Sequence, residues 1–292
     1  MHNGAIRVWH RTGWHTNMAN ERTRPIGIFD SGVGGLTVLK ALRSQLPEEH
    51  FVYLGDTARL PYGTKSAGSV LRYARQAAAH LQQREIKLLV IACNTASAVA
   101  LGDLRAALEP LPVVGVVEPG ANAAIKACPA GRHLVLATEA TVGPGAYGKA
   151  IRALDHGAAV RELACELLVA LAEEGWTRGA IAETIVRQYL EPYLAGDGAF
   201  RPQCLILGCT HFPILRDAIE SVVGDEVAIV DSAGTTASVV AALLETHGLL
   251  RPQPGEGTLE LLATDGARRF ARVGGAFLGS ALSPADIQLV DL

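Results

Sequence analysis

Aromatic residues are scarce in this sequence: Phe, Trp and Tyr together make up 5% of its 292 residues. That shortage disfavours an all-β sandwich. Ala, Leu, Val and Gly dominate instead, a mixture suited to helices packed closely on parallel strands. No run of apolar residues approaches the length needed to span a bilayer. Basic residues form no cluster; 26 Lys and Arg are scattered among 29 Asp and Glu, for a net charge of −3. Neither a nucleic acid nor an anionic membrane surface finds a basic face here. Cysteine is sparse, an odd set of five at Cys93, Cys128, Cys165, Cys204 and Cys209. Residues 1–24 are polar, carry several Arg and His, and lack the apolar core of a secretion signal. Free thiols in a reducing cytoplasm are therefore expected. The segment 1–24, with Trp9 and Trp14, reads as a disordered extension.

What is present is a chain long enough for two domains and 49% hydrophobic, enough for more than one core. From Pro25 onward, apolar runs alternate with helical patterns. PIGIFD, HFVYLGD, IKLLVIAC and VVGVV read as strands in the first part, and HLVLAT, CLILGC, EVAIVDS and LELLAT as strands in the rest. IKLLVIAC is apolar throughout, as a parallel strand buried on both faces should be. Val70, Ala74, Ala77 and Leu81 recur at helical spacing; ELACELLVALAEEG reads as a single helix closed by Gly175, and Thr177 as the cap of the next. Repeated βα units predict doubly wound parallel sheets.

The chain also repeats itself weakly. Aligning LVIACNT with LILGCTH sets Cys93 against Cys209, Asn94 against Thr210 and Thr95 against His211. Upstream of each lies another strand with a polar end, GIFDSG and LVLATEAT. The pattern predicts two similar α/β halves facing each other across a central cleft, where open parallel sheets bind ligands beyond the carboxyl ends of their strands.

The glycine-rich turn DSGVGG has neither the spacing of a dinucleotide fingerprint nor the Gly-Lys-Ser/Thr ending of a P-loop. It offers instead the Asp30 carboxylate, the Ser31 hydroxyl and backbone N–H groups, or else Asp30 simply caps the following helix. A free cysteine is most often a small buried hydrophobe, and Cys128 and Cys204 read that way. Cys93 differs because it precedes a helix, where a thiol pKa can fall from about 8.5 toward 7 or below. Cys209 is expected to repeat that geometry, with His211 two residues on to assist a proton. Cys204, Cys209 and His211 match no common zinc spacing, so no metal is expected. Two thiols on opposite sides of one cleft suit a reaction in which one removes a proton and the other supplies one from the opposite face, inverting a stereocentre.

DSGVGGLTVL, GDTARLPYG, ACNTASA, VEPG and LGCTHFP, in that order, resemble the successive signatures of the glutamate racemase family. The resemblance covers nearly the whole chain from about Pro25 and implies two α/β domains, the second inserted into the first. It places the first domain at 25–116 and 231–292 and the second at 117–230. It implies cofactor-independent interconversion of L- and D-glutamate, with D-glutamate serving the peptidoglycan of the cell wall. By motif, Cys93 and Cys209 correspond to the acid/base thiols, Asp30 to the carboxylate assisting the first and His211 to the group assisting the second. Glu173 corresponds to an acidic residue near that histidine. Ser31, Tyr62, Gly63, Asn94, Thr95 and Thr210 correspond to substrate-binding positions, and Asp30 and His211 are assigned there too. Thr138 and Thr141 match more loosely. Two stretches depart from the family pattern: TVGPGAY has Pro144 where a serine is usual, and ACELLVALAE lacks two prolines. Two other readings share these residues: a racemase for aspartate or another amino acid, and a non-catalytic two-lobed binder of acidic ligands. The partner expected is a small molecule, with a homodimer the default assembly.

Overall fold

A computed structural model describes residues 18–196, 198–252 and 254–292. Trp9, Trp14 and the rest of residues 1–17 lie outside the described residues. The last part of the expected disordered extension is ordered: α1 (Met18–Thr23) forms a short helix. It is held at the base of the first lobe, where Lys87 Nζ donates to Arg22 O at 2.8 Å and Arg22 Nε donates to Leu250 O at 2.8 Å.

The chain then runs β1 (Ile26–Asp30), α2 (Leu36–Gln45), β2 (Phe51–Gly55), α3 (Ala67–Gln82), β3 (Leu88–Ile91), α4 (Asn94–Ala107), β4 (Val113–Gly115) and α5 (Val117–Ala127). A second series follows: β5 (Arg132–Ala137), α6 (Glu139–Val142), α7 (Ala146–Leu154), β6 (Ala159–Ala164), α8 (Glu166–Glu174), α9 (Ala180–Leu194), β7 (Cys204–Gly208), α10 (Arg216–Val223) and β8 (Ala228–Asp231). The chain closes with α11 (Ala233–Thr246), β9 (Leu259–Ala263), α12 (Ala267–Leu278) and β10 (Ile287–Leu289).

The strands form two all-parallel sheets. One has six strands in the order β10-β9-β2-β1-β3-β4 and the other four in the order β6-β5-β7-β8. The second sheet is built wholly from a stretch lying between β4 and β9 of the first, so one lobe is inserted into the other. Ile26, Ile28, Tyr53, Leu88 and Val90 face one core cluster with Leu36, Leu39 and Phe277 of the flanking helices. Phe29, Leu54, Leu89 and Ile91 face the opposite cluster, formed with Val70, Ala74, Ala77 and Leu81. This two-sided burial explains why the central strands read as unbroken apolar runs. In the second sheet, Leu134, Leu136, Leu205 and Leu207 join the first cluster, while Val135, Ala137 and Ile206 pack on Tyr147 and Ile151.

Four elements differ from expectation. ELACELLVALAEEG is not one helix: its first residues finish the edge strand β6, and α8 begins at Glu166. No residue of strand β6 is fully buried, its positions being exposed or half-buried, so it lacks the apolar run that marks an inner strand. Thr177 caps nothing; α9 starts after Gly179, without a side-chain cap. Helix α5 occupies the VEPG stretch, which reads from the sequence as a turn, and β10 adds an edge strand that three residues could not announce. No helix among the described residues is long and apolar enough to cross a membrane.

Candidate active site

Each sheet reverses its winding at a central strand pair. From β1 the chain moves to β2 on one side, then to β3 on the other; β5 likewise leads to β6 on one side and β7 on the other. Such reversals leave a crevice at the strands' carboxyl ends, because the connecting segments diverge there. Asp30 ends β1, Cys93 follows β3, Thr138 follows β5 and Cys209 follows β7. The internal repeat is thus a repeat of position as well as of sequence.

Cys93 is the N-cap of α4, its Sγ accepting the Ala96 N–H at 3.4 Å. The Ser31 hydroxyl lies 3.4 Å from the same sulfur. Contrary to the lowered value expected at a helix start, burial and the nearby Asp30 charge push the Cys93 thiol up to about 12. Desolvation outweighs the helix dipole here, because the sulfur is buried and its nearest formal charge is negative. Cys209 does not repeat the helix-start geometry. A tight turn of one 3-10 segment, residues 212–215, intervenes before α10. Its sulfur instead lies 3.8 Å from His211 Nδ1.

His211 Nε2 is 3.2 Å from Glu173 Oε1, and Arg269 donates to Glu173 Oε2 at 2.7 Å. Burial would lower the His211 pKa, but hydrogen bonds with Cys209 and Glu173 overcome it and raise the ring to about 10. The hydrogen bond from His211 holds Glu173 below the usual carboxylate range against the effect of burial, with Arg269 adding to it. His211 also packs edge-on against Phe277, ring centroids 5.1 Å apart. The expected Glu173–His211 association is therefore a direct contact, and the imidazolium sets a positive charge beside the second sulfur.

Asp30 is completely buried. Its Oδ2 accepts the Gly32 N–H at 2.9 Å and its Oδ1 has no partner. Burial raises its pKa, opposed by the His211 charge and by the amides of Gly35, Gly32 and Ser31. Because α2 starts only at Leu36, Asp30 is not that helix's N-cap. The loop that follows touches both half-sites. Ser31 meets Cys93, while a Cβ on Gly34 would lie 2.6 Å from His211 Nδ1, so a larger residue there would have to displace the His211 and Thr210 side chains. Each thiol is near enough to the other that charge on Cys209 disfavours ionisation of Cys93.

The remaining sequence-derived residues gather at the same cleft. Thr95 Oγ1 lies 2.9 Å from Thr138 Oγ1 and 3.1 Å from Thr141 Oγ1, joining α4 of one lobe to α6 of the other. Thr210 presses on Gly34 and accepts a hydrogen bond through its carbonyl from Thr37 Oγ1 at 3.4 Å. Gly63 backs onto Thr138, where a Cβ would come within 2.7 Å of the threonine Cβ. Tyr62 reaches the site but its hydroxyl donates to the buried Asp56, leaving its phenol engaged. Asn94 accepts a hydrogen bond on Oδ1 from Tyr147 at 2.6 Å.

Sequence reasoning missed Asp56, Tyr147 and Arg269. Asp56 was within reach, being the aspartate of GDTARLPYG; Tyr147 closes the TVGPGAY stretch but nothing there names its partner, and Arg269 sits in an ordinary helical pattern. Cys204 begins β7 and Cys209 follows it, which separates them by a full strand, about 16 Å at the usual rise. Among the described residues no group of three or more His, Cys, Asp or Glu is arranged to hold a metal ion.

Residues 29–242 match the family described as Asp/Glu/Hydantoin racemase. The chain belongs to that family. It is 48% identical, over 92% of its length and 97% of the relative's, to the glutamate racemase of Geobacter metallireducens. The glutamate racemase isoform RacE1 of Bacillus anthracis superposes with a TM-score of 0.86 at 36% identity, covering 93% of this chain and 98% of that one. The glutamate racemase of Francisella tularensis, solved with D-glutamate, gives 0.84 at 34% identity over 92% and 98% of the two chains. This member of the racemase family is accordingly an enzyme of the glutamate racemase type, an isomerase with two parallel-sheet lobes.

Proposed function

We propose that the chain interconverts L- and D-glutamate by a two-base reaction at the α-carbon, with Cys93 and Cys209 on opposite faces. One observation carries the reading: two buried thiols follow the inner strands of two lobes, and the loop of residues 30–35 touches the surroundings of both. A substrate between them presents its α-hydrogen to one sulfur and the opposite face of the same carbon to the other.

In one direction a thiolate takes the α-proton, the electron pair stays on the α-carbon conjugated with the carboxylate, and the opposite thiol delivers its own proton. The enzyme ends with the roles of the sulfurs exchanged and the stereocentre inverted. Asp30 is assigned to assist Cys93, since its raised pKa brings a buried carboxyl closer to that of a proton acceptor for a thiol. On the other side, the His211 imidazolium, oriented by Glu173, is assigned to assist Cys209. Ser31, Gly63, Asn94, Thr95, Thr138, Thr141 and Thr210 supply the N–H and O–H groups a dicarboxylate amino acid requires, with Tyr62 contributing through its backbone. Such donors stabilise the carboxylate as charge grows on it. No cofactor enters these steps. D-Glutamate made in this way in the cytoplasm would supply peptidoglycan, and a homodimer is the assembly we expect.

The test is the pair of single variants C93S and C209S, assayed with each glutamate enantiomer and with aspartate. Each should lower kcat by roughly 100- to 10,000-fold, the span usual for one positioned acid or base. In deuterated buffer each variant should retain α-hydrogen exchange for at most one enantiomer, because the surviving sulfur faces the α-hydrogen of only one. Wild-type racemisation in either variant would defeat the two-thiol reading, and faster turnover of aspartate would defeat the substrate assignment.

A further inference from the structure

We propose that Tyr147 is a positioning residue for the racemisation, fixing the amide of Asn94 so that its NH2 group is turned toward the substrate. The inference rests on the reading of Asn94 as a substrate-binding residue and adds a residue that holds it in place.

Asn94 is the first residue of α4, immediately after Cys93, and both it and Tyr147 are buried. An asparagine amide has two faces with opposite hydrogen-bonding character, and which one meets the ligand depends on its neighbours. Here the choice is forced from the other lobe. The Tyr147 phenol, on α7, donates to Asn94 Oδ1 at 2.6 Å. A phenol has one proton to give and an amide oxygen can only accept, so that proton goes to Asn94. Burial keeps the phenol protonated, with the charges of Cys209 and Asp231 acting in the same sense.

The consequence is visible at the other end of the amide. Asn94 Nδ2 is buried and has no hydrogen-bond partner in the protein. A buried N–H pair left without an acceptor costs free energy, and that cost persists until something supplies one. A carboxylate beside Cys93 would do so. With Oδ1 bonded to Tyr147, the amide presents its NH2 group and not its oxygen, which would repel the same carboxylate. Tyr147 is itself held firmly: its ring packs against Gly120 and Gly208, where a Cβ would come within 2.9 Å of the Tyr147 hydroxyl oxygen and 3.1 Å of Tyr147 Cε2, respectively. Gly208 immediately precedes Cys209, so one phenol abuts the strand end of the second thiol and orients the amide beside the first.

Steady-state kinetics on full-length Y147F, N94A and the double variant test this. Y147F should raise the glutamate KM about tenfold while kcat stays within about threefold of wild type. N94A should raise KM at least as much, and adding Y147F to N94A should change KM no further, since the amide being positioned is gone. N94D, which keeps an acceptor for the Tyr147 hydroxyl but turns a repelling oxygen toward the substrate carboxylate, should raise KM more than N94A does. It serves also if Y147F folds poorly. An unchanged KM in Y147F, a multiplicative effect in the double variant, or an N94D KM no higher than that of N94A would overturn the assignment. An unchanged KM in N94A would overturn it too. Each of these outcomes is separable from failure of the two-thiol reading, which is judged on kcat and isotope exchange in C93S and C209S.

Discussion

Arg269 and Glu173 form an ion pair across the two lobes, Nη2 to Oε2 at 2.7 Å, with Arg269 on α12 of the first and Glu173 on α8 of the second. Glu173 is the carboxylate that holds His211, so a surface arginine of one lobe is tied to the second thiol's partner in the other. The arginine side chain is 52% exposed, which limits the pair's direct stabilisation to under about 1 kcal/mol. Its effect should appear in catalysis instead. R269A should leave the melting temperature within about 3 °C of wild type and lower kcat about three- to tenfold. High salt should bring the wild type toward the variant. Kinetics at low and high ionic strength check this; a variant with unaltered kcat and salt response would show that the arginine is only a surface charge.

The Glu173–His211 pair also predicts how stability varies with pH. His211 is raised from 6.5 to about 10, so its contribution is fully present below pH 6.5 and is lost as pH rises through 10. Glu173 is depressed below 4.5, so its contribution is present above that pH and is lost as pH falls through its lower folded value. The two overlap most completely between pH 4.5 and 6.5. The difference in melting temperature between wild type and E173Q should be largest near the middle of that window and shrink steadily toward pH 10. A difference that grew with pH would mean that His211 is neutral in the folded protein.

Much of this architecture is legible in the sequence, for identifiable reasons. Strands buried on both faces, such as β1 and β3, must be apolar throughout and bounded by turns, so they announce themselves. Val70, Ala74, Ala77 and Leu81 lie on the buried face of α3 as their spacing requires. The strand-end residues Asp30, Cys93, Thr138 and Cys209 stand out because polar or reactive side chains follow apolar runs abruptly. Edge strands β6 and β10 do not, since half-exposed strands share their polar composition with helix surfaces. Contacts between lobes are the least legible. Nothing local to Tyr147 or Arg269 says that one will meet Asn94, some fifty residues away, and the other Glu173, nearly a hundred away. The thiol pKa is a further case: a helix start implies a lowered value, but the burial that outweighs it belongs to the assembled cleft.

Asp56 offers a test of how the Tyr62–Gly63 turn is held. Its completely buried carboxylate accepts the Tyr62 hydroxyl, Arg59 Nε at 2.6 Å and Thr264 Oγ1 at 2.9 Å. The Tyr62 phenol is pushed far above its usual pKa by burial and by that carboxylate. D56N keeps the shape and one acceptor oxygen for Arg59 and Tyr62, with its NH2 group turned to the Thr264 hydroxyl, but it removes the charge that pairs with Arg59. The turn carrying Gly63 against Thr138 should loosen, raising the glutamate KM roughly three- to thirtyfold. Stability should fall by about 1–3 kcal/mol, the worth of hydrogen bonds to a charged acceptor that a neutral amide replaces. Y62F removes one of the three donors while leaving the carboxylate with two, and should be milder on both measures. Kinetics and calorimetry on the two variants decide the point; Y62F matching or exceeding D56N would place the weight on the phenol.

The neutral state of Cys93 in the substrate-free protein can be read directly. With its pKa pushed up to about 12 by burial and the Asp30 charge, roughly one thiol in ten thousand is ionised at pH 8. Iodoacetamide reacts with thiolates, so alkylation of Cys93, followed by mass spectrometry, should be far slower than that of a thiol in an unfolded peptide. The rate should still be climbing at pH 9.5, with no plateau, because the titration midpoint lies above that range. D30N removes the nearest negative charge while leaving the burial, and should speed alkylation at a fixed pH. Asp30 ranks second to burial among the groups raising the thiol, so the gain should be partial and should not reach the peptide rate. A wild-type plateau near pH 7, where an activated helix-start thiol would titrate, would mean that the dipole prevails over desolvation. Cys93 would then stand ready as a thiolate before substrate arrives, and Asp30 would have no proton to accept.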